Sequence, residues 1–349
     1  MKKIRIAQIG IGHDHAGVIF SALRRMTDVF EVVGYAEVPE DDLDYASAKS
    51  QTQANAVHYE GAKRYTVEEL FAMPDLEAVT IETFDLSLVK YAQMAIDRGL
   101  HVHMDKAAGE NAEASERLLS SVKAKQLAFN MGYMYRYNPC IIDAFRRVKE
   151  GEIGRIYSIE AEMSCYYDKD KREWLAQFQG GMMQYLGCHL IDLIVRLQGV
   201  PDEIIPYNCA SGANDVKAKD VAFAVLKYPN GVSTVKSSML DAGGFVRRHF
   251  AIYGEKGAIE IRPLEHYEGG GTKMSTKMTT YFPEEGWHSL GHMQDSGAFE
   301  RYETMLSAFA TMIRENKESV VDLETEARIQ RCLLAADGIA CDYKADIKL

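Results

Sequence analysis

The order of elements in the first 37 residues constrains this chain most. Residues 3–9 are mainly apolar, which predicts a buried parallel strand, and Gly10 and Gly12 follow at once. Apolar residues then recur at helical spacing, and a second apolar stretch, 30–36, ends at Glu37. A strand, a glycine turn, a helix, a strand and an acid in this order predict a dinucleotide-binding βαβ unit.

The segment GIGHDHAG, residues 10–17, is the predicted phosphate-binding turn. Two glycines permit a tight turn and a close approach of the backbone to a pyrophosphate. His15 stands where a third glycine is usual, and Gly17 is expected to relieve crowding there. No metal site is predicted from the two histidines, because zinc needs a third and a fourth ligand and none is apparent nearby. We predict that the cofactor contacts are Gly10, Ile11, Gly12, His13 and His15.

Glu37 ends the second predicted strand. A carboxylate there can accept hydrogen bonds from the ribose hydroxyls of the cofactor and repels a 2′-phosphate. The sequence therefore predicts NAD rather than NADP. A solvated loop acid is the alternative, because three more acids, residues 40–42, follow closely.

Strands and helices continue to alternate to about residue 130. Residues 66–69 have the pattern of a capping box, and Ser87 is expected to cap a helix that ends at Gly99. Apolar stretches at 76–83, 100–105 and 127–133 predict further strands. Repeated units of this kind predict an α/β fold with a doubly wound parallel Rossmann sheet that binds its ligand at the carboxyl ends of the strands.

Lys106 directly follows the strand predicted at 100–105, where the crevice of such a sheet lies. Its amine is expected either to have a pKa lowered by desolvation or to supply a fixed positive charge to a substrate hydroxyl, with a surface lysine as the alternative. His101, His103 and Asp105 share one strand face by alternation. We expect these three to be packed or hydrogen-bonded rather than metal ligands.

A second group of polar residues lies on a helix predicted at 179–199. Tyr185, His189 and Asp192 are spaced i, i+4 and i+7, which places them on one side. Imidazole exchanges protons near neutral pH, so this set suits acid–base chemistry on an alcohol. A polar stripe facing water is the alternative, but the rest of the helix is apolar, so the three groups are expected to have partners.

From residue 155 long alternating strands predict a large, mostly antiparallel sheet in an α+β domain, and helices at about 299–316 and 324–341 are expected to return and cap the structure. We predict a cofactor domain over residues 1–130 and a substrate and oligomerisation domain over 131–349. One face of the second sheet lacks an evident cover, which predicts a homodimer or homotetramer through this sheet.

Composition excludes several classes of partner. The net charge of -11 argues against nucleic acid or an anionic membrane as a partner, and no stretch has the roughly 18 apolar residues of a membrane helix. The six cysteines show no CxxC pairing, so free thiols in a reducing compartment are expected. The protein is expected to be cytoplasmic.

Together these motifs resemble the Gfo/Idh/MocA oxidoreductases, named for glucose–fructose oxidoreductase and inositol dehydrogenase. The matching segments are AQIGIGH in the glycine loop, MDKAAG at the place of the family's Glu-Lys-Pro, GYMYRYNP after the last strand of the first domain, and GGMMQYLGCHLID at its G-x-H-x-x-D. The resemblance implies that Lys106 is the active-site lysine, His189 the catalytic histidine and Asp192 the downstream acid.

The resemblance also implies that Tyr135 and Arg136 border the substrate and the nicotinamide. Two departures concern the same region: Thr83-Phe84 replaces a Thr-Pro beside the nicotinamide, and Tyr185 replaces an acid that contacts substrate. We therefore expect Thr83 to contact the cofactor and Tyr185 to contact the substrate.

The activity implied by the resemblance is that of a dehydrogenase acting on CH–OH groups. Hydride would pass between NAD and a secondary alcohol of a small sugar, cyclitol or derivative, while His189 takes the hydroxyl proton and Lys106 polarises the oxygen. Two alternatives stay open on the same fold: redox-assisted glycoside cleavage with NAD recycled, and a non-catalytic sensor of NAD or a sugar.

Overall fold

The computed structural model describes residues 2–41, 46–268, 272–317 and 319–349. The chain divides into two compact units that are not continuous in sequence. The first comprises Met1–Tyr133, Tyr302–Gln330 and Ile347–Leu349, and the second comprises Met134–Arg301 and Arg331–Asp346. The assignment of a cofactor role to residues 1–130 and a substrate role to residues 131–349 stays a prediction.

The first unit is built on a parallel sheet. Its strands are β1 Ile4–Ile9, β2 Phe30–Ala36, β3 Arg64–Tyr65, β4 Ala78–Ile81, β5 His101–Met104 and β6 Phe129–Met131. They pair in the order β3-β2-β1-β4-β5-β6, and every pair is parallel. This order confirms the predicted doubly wound sheet and places the carboxyl ends of β1, β4 and β5 side by side. The connecting helices are α1 Ala16–Arg25, α2 Ala46–Ala56, α3 Val67–Phe71, α4 Leu88–Asp97 and α5 Ala112–Lys125.

The sequence analysis predicted capping residues for two helices, α3 and α4. The capping box at α3 is confirmed, because the Thr66 hydroxyl accepts from the Glu69 amide while the Glu69 carboxylate accepts from the Thr66 amide. Ser87 does not cap α4, so that expectation is wrong. A 3₁₀ turn over Asp85–Ser87 precedes the helix, and the Ser87 hydroxyl donates back to the Phe84 carbonyl over 2.8 Å instead.

The second unit contains a larger sheet, a small sheet and several helices. Its elements are β7 Ile156–Glu162, β8 Glu203–Pro206, β9 Val221–Tyr228, β10 Gly231–Ser238, β11 His249–Gly254, β12 Gly257–Ile261, β13 His266–Tyr267, β14 Lys273–Ser275, β15 Lys277–Tyr281, β16 His292–Asp295 and β17 Phe299–Glu300, with helices α6 Pro139–Lys149, α7 Lys169–Trp174, α8 Cys188–Gln198 and α9 Gly244–Arg247. Eight strands pair in the order β16-β15-β12-β11-β7-β10-β9-β8, and only the β7–β10 pair is parallel. The predicted mostly antiparallel sheet is confirmed, and β13-β14-β17 form a second, small sheet.

The helix predicted at 179–199 is α8 with an irregular beginning. A π-helical turn over Met183–Gly187 precedes α8, which ends at Gly199 with a φ of 78°. All residues from Cys188 to Val195 are buried. This element is therefore a core helix rather than one with a face in water, and the polar side chains on it require internal partners.

The two C-terminal helices are α10 Glu303–Glu315 and α11 Leu323–Asp337. In the first unit, Gln330 of α11 donates to the Gly109 carbonyl over 2.7 Å. Among the described residues, no helix is long and apolar enough to cross a membrane.

Gly10 offers a stability test of the contact between β1 and β4. Its φ is +91°, and an added Cβ would lie 2.5 Å from the Thr83 backbone nitrogen, so strain and overlap combine. We expect Gly10→Ala to lower the free energy of unfolding by about 3 kcal/mol. The control Gly61→Ala has a φ of +71° with nothing within 4 Å, so strain alone should cost about 1 kcal/mol. Urea unfolding without cofactor measures both, and equal losses would contradict the close contact.

Candidate active site

The glycine loop follows β1, and its backbone amides face a carboxylate. Ile11 N–H donates to Asp41 Oδ2 over 2.9 Å, and Phe84 N–H donates to Oδ1 over 3.2 Å. A Cβ on Gly12 would lie 2.5 Å from Asp41 Oδ1. Burial raises the pKa of Asp41 to about 6, against the opposing effect of these amide donors. Asp41 therefore occupies the position at which the loop would bind an anion.

A cavity of about 640 Å³ lies beside this loop, within the size range of roughly 300–1,000 Å³ typical of small-molecule sites. Glu37 and Asp41 form part of its wall, with Ile11 at the loop end. The Glu37 carboxylate also pairs with Arg64 Nη2 over 2.8 Å. The cavity, the glycine turn and Glu37 fit the adenosine half of a nicotinamide dinucleotide, provided that Asp41 releases the loop amides.

Thr83 is fully buried and lies two residues after the end of β4. Its hydroxyl donates to the Phe84 carbonyl over 3.2 Å, and its oxygen lies 3.0 Å from that of the Ser87 hydroxyl. The side chain thus braces the segment against which Gly10 turns, and its predicted contact with the cofactor stays a prediction.

Lys106 lies two residues after the end of β5 and is only 2% exposed. Charged side chains are rarely buried to this extent unless they have a role or a partner. Its positive charge acts on the neighbouring His15 and Asp85 side chains. The structure thus places the predicted active-site lysine at the same sheet edge as the glycine loop.

Two histidines and three acids meet at this edge, and we call His13, His15, Glu82, Asp85 and Asp105 the imidazole–carboxylate cluster. Asp105 Oδ2 lies 3.1 Å from His13 Nδ1 and 2.9 Å from His15 Nδ1. His13 Nε2 lies 3.4 Å from Asp85 Oδ1, and Glu82 Oε2 lies 3.9 Å from His13 Nδ1. The expectation that no further ligand group lies near the two histidines is wrong, because the sheet order brings the ends of β4 and β5 beside the loop after β1.

The cluster divides its charges unevenly. Burial opposes charging of His13, but the Asp105 and Asp85 carboxylates raise the pKa of His13 well above its ordinary value. Burial likewise opposes charging of Asp105, but His13 and His15 hold the pKa of Asp105 well below its ordinary value. Burial and the negative charge of Asp105 raise the pKa of Glu82 well above its ordinary value. These directions favour a charged His13–Asp105 pair and favour protonation of Glu82.

The two other histidines of this region are held within the sheet. His103 is fully buried, and its Nδ1 lies 3.1 Å from Asn130 Nδ2. His101 Nδ1 accepts from the Ala128 amide over 3.0 Å. Both are hydrogen-bonded, as expected for packed strand residues.

In the second unit, Arg136 and Asp192 bind each other. Arg136 Nη2 donates to Asp192 Oδ1 over 2.7 Å, and Arg136 Nε lies 3.1 and 3.2 Å from the two carboxylate oxygens. Both side chains are at most 1% exposed. Two residues predicted to bind substrate therefore form an internal ion pair that ties α8 to the 3₁₀ turn over Met134–Tyr137.

The same turn places Tyr135 against His189, with ring centroids 5.0 Å apart and planes at 86°. The Tyr135 hydroxyl donates to Glu265, which also pairs with Arg248, and Arg301 Nη2 lies 3.1 Å from Glu265 Oε2. Burial opposes ionisation of Glu265, but Arg301 and Arg248 lower its pKa. Burial and the Glu265 charge raise the pKa of Tyr135, so its ring stays neutral and is fixed beside the imidazole.

Tyr185 belongs to the π turn and lies in an aromatic group. Its ring centroid is 5.5 Å from that of Trp174 and 6.5 Å from that of Tyr167. The Lys171 amine lies 5.3 Å from the centre of the Tyr185 ring and 3.6 Å from that of Trp174. Tyr185 and Trp174 are buried in this aromatic group, and the contact of Tyr185 with a substrate stays a prediction.

Four acids of these sites were missed by the sequence analysis: Asp41, Glu82, Asp85 and Glu265. Glu82 and Asp85 both follow the end of β4, at the sheet edge that was predicted to bind a ligand. Their position alone could have indicated them. Asp41 and Glu265 carry no such signal, because each bonds to segments distant in the chain.

Comparison with known proteins agrees with this architecture. Residues 141–260 match the family model described as the GFO/IDH/MocA C-terminal domain. The uncharacterized oxidoreductase YhhX of Escherichia coli is 27% identical over 193 residues, which are 55% of this chain and 55% of that protein. Levoglucosan dehydrogenase of Pseudarthrobacter phenanthrenivorans is 23% identical over 245 residues, 61% of this chain and 63% of that protein. The chain thus matches little more than half the length of these relatives.

The solved structure of KijD10, a 3-ketoreductase from Actinomadura kijaniata in complex with NADP and TDP-benzene, has a TM-score of 0.75 to this chain. The two are 16% identical, and the match covers 97% of this chain and 98% of that chain. This likeness shows the fold, which has a parallel sheet in the first unit and a large, mostly antiparallel sheet in the second. The match of residues 141–260 to the C-terminal domain of this family agrees with the resemblance that the motifs predicted.

The Arg136–Asp192 pair provides a test of the buried charges in the second unit. We expect Asp192→Asn to lower the free energy of unfolding by about 3 kcal/mol, because it removes the carboxylate charge that offsets a buried guanidinium. Glu255→Gln, at the exposed pair with Arg155, should change it little. Denaturant unfolding of both variants gives the comparison, and similar small changes would show that Asp192 does not hold Arg136 in place.

Proposed function

We propose that the protein is a nicotinamide-dependent dehydrogenase acting on a secondary alcohol of a sugar, cyclitol or derivative. The observation that supports this most directly is a nearly fully buried Lys106 at the carboxyl edge of a parallel sheet, beside a glycine loop. Levoglucosan dehydrogenase and a 3-ketoreductase are among the similar proteins, which supports a sugar-like substrate.

In this proposal each residue has a separate task. Lys106 provides a fixed positive charge that polarises the substrate oxygen, and His189 accepts the hydroxyl proton. Tyr135 packs against the His189 ring and limits its orientation. The bound cofactor supplies the hydride acceptor.

We propose NAD as the cofactor. Glu37 lies at the end of β2, where a carboxylate accepts from ribose hydroxyls and repels a 2′-phosphate. Arg64 is the residue type that would accommodate that phosphate, but its guanidinium pairs with Glu37. Because KijD10 was solved with NADP, both cofactors are compared in every assay.

Assembly through the eight-stranded sheet also stays a prediction. Tyr157 of β7 and Val232 of β10 are 45% and 44% exposed, which is consistent with a sheet face that could bind a second copy. Light scattering on the purified protein would measure the oligomeric state.

The catalytic assignment is tested by following NADH or NADPH formation with a panel of polyols and glycosides. We expect Lys106→Met and His189→Ala each to lower kcat by about 100-fold or more, because each removes charge stabilisation or proton transfer. Lys125→Met, at an exposed lysine of α5, is the matched control and should keep full activity. Turnover of both site variants at the parent rate would contradict the roles assigned here.

The same panel separates the alternatives. Glycoside cleavage without net NADH would indicate redox-assisted elimination with the cofactor recycled. Binding of cofactor and sugar with no turnover of any substrate would indicate a sensor.

Asp41 gives a prediction about cofactor affinity, because its carboxylate competes for the loop amides. We expect Asp41→Ala to bind NADH more tightly, by about 10-fold if one charge-assisted hydrogen-bond contribution is removed. With a pKa of about 6, Asp41 becomes neutral as the pH falls below that value, so competition weakens and the affinities of parent and variant should converge. Calorimetric titration at pH 5 and pH 8 (values chosen on the two sides of that pKa) measures this. Weaker binding by Asp41→Ala at both would mean that Asp41 supports the cofactor instead.

A further inference from the structure

Three members of the imidazole–carboxylate cluster, His13, His15 and Asp105, have the composition and spacing of a metal site. One ligand atom each from His13, His15 and Asp105 lies within 4.8 Å of the others. Two ligands of one tetrahedral zinc ion, at metal distances of about 2.0–2.2 Å, lie about 3.4 Å apart. The two nitrogen–oxygen distances of 3.1 and 2.9 Å require shifts of only a few tenths of an ångström.

Glu82 is the independent observation that points to a cation. It is fully buried, and in the part of the chain that the structure describes neither carboxylate oxygen has a hydrogen-bond partner. One of these oxygens lies 3.9 Å from His13 Nδ1, and the negative charge of Asp105 acts on the same carboxylate. A buried carboxylate without a donor and beside a second carboxylate is costly, and a cation between them relieves both costs.

From this geometry we infer that the cluster binds one divalent transition-metal ion through His13 Nδ1, His15 Nδ1, Asp105 and Glu82. Two imidazoles with carboxylates are the donors that Zn²⁺ and its first-row neighbours prefer, whereas Ca²⁺ and Mg²⁺ take oxygen ligands. The side chains of His13, Glu82 and Asp105 are at most 1% exposed, whereas that of His15 is 16% exposed. The ion would therefore enter from the His15 side.

The inferred ion has a defined place in the first unit. It would join the loop after β1 to the end of β4 and to the residue directly before Lys106. This is a different site from the cavity lined by Glu37, and its occupancy can be measured without any turnover. Failure of the metal site and failure of the proposed dehydrogenase activity are therefore distinguishable.

A proton offers the competing arrangement. A protonated Glu82 could donate to Asp105 while a charged His13 balances the remaining carboxylates, and the cluster would then need no metal. The two arrangements differ in stoichiometric metal binding.

The test uses the full-length, tag-free protein, stripped with a chelator and titrated calorimetrically with Zn²⁺ and with Co²⁺. We expect one ion per chain, retained through gel filtration and counted by mass spectrometry of the metal, and visible Co²⁺ absorption bands of low-symmetry coordination. His15→Gln changes the most exposed ligand and should weaken binding by about 100-fold or more. His288→Gln, at an exposed histidine of the second unit, is the control and should bind as the parent does.

Glu82→Gln is a second variant that keeps the shape of the side chain while removing its charge. It should also lose affinity, and circular dichroism verifies that both variants are folded. Substoichiometric metal in the parent protein, or equal affinity of the parent and His15→Gln, would overturn the metal site and favour the shared proton.

Discussion

The close contact between the turn after β1 and the segment after β4 is the constraint on which the first unit depends. Gly10 adopts a positive φ and packs directly on the Thr83 backbone, which leaves no room for a side chain. This contact aligns the carboxyl ends of neighbouring parallel strands. As a result, His13, Glu82 and Asp105 come together although about 90 residues separate the first from the last.

Both units bury charge, and each does so by compensation within the fold. In the first unit His13 and Asp105 pair beside Glu82, whereas in the second Arg136 pairs with Asp192. Isolated charges at such positions would cost several kcal/mol, so each partner makes the burial of the other tolerable. Such pairs fix geometry more than they add stability, which suits residues that position a site.

The sequence predicted the parts of the fold that depend on local patterns. Alternating apolar stretches gave the two sheet types, and the glycine turn with its flanking strands gave the doubly wound topology. The capping box could be predicted because its two residues, Thr66 and Glu69, are only three positions apart in the sequence. The hydrogen bonds of Asp41 could not be predicted, because they join segments that are distant in the chain. For the same reason, the proximity of Asp105 to the loop histidines required the strand order.

The carboxylate that fills the glycine loop changes what cofactor binding means for this protein. The Ile11 amide of the loop and the Phe84 amide after β4 both donate to Asp41, so on the proposed function a dinucleotide would replace one anion with another at these donors. The number of buried hydrogen bonds would then stay nearly constant. The affinity for the dinucleotide would reflect the difference between its interaction with these amides and that of the Asp41 carboxylate. On the proposed function, Asp41 holds the glycine turn in shape, and the free energy needed to displace this carboxylate limits the affinity for a dinucleotide.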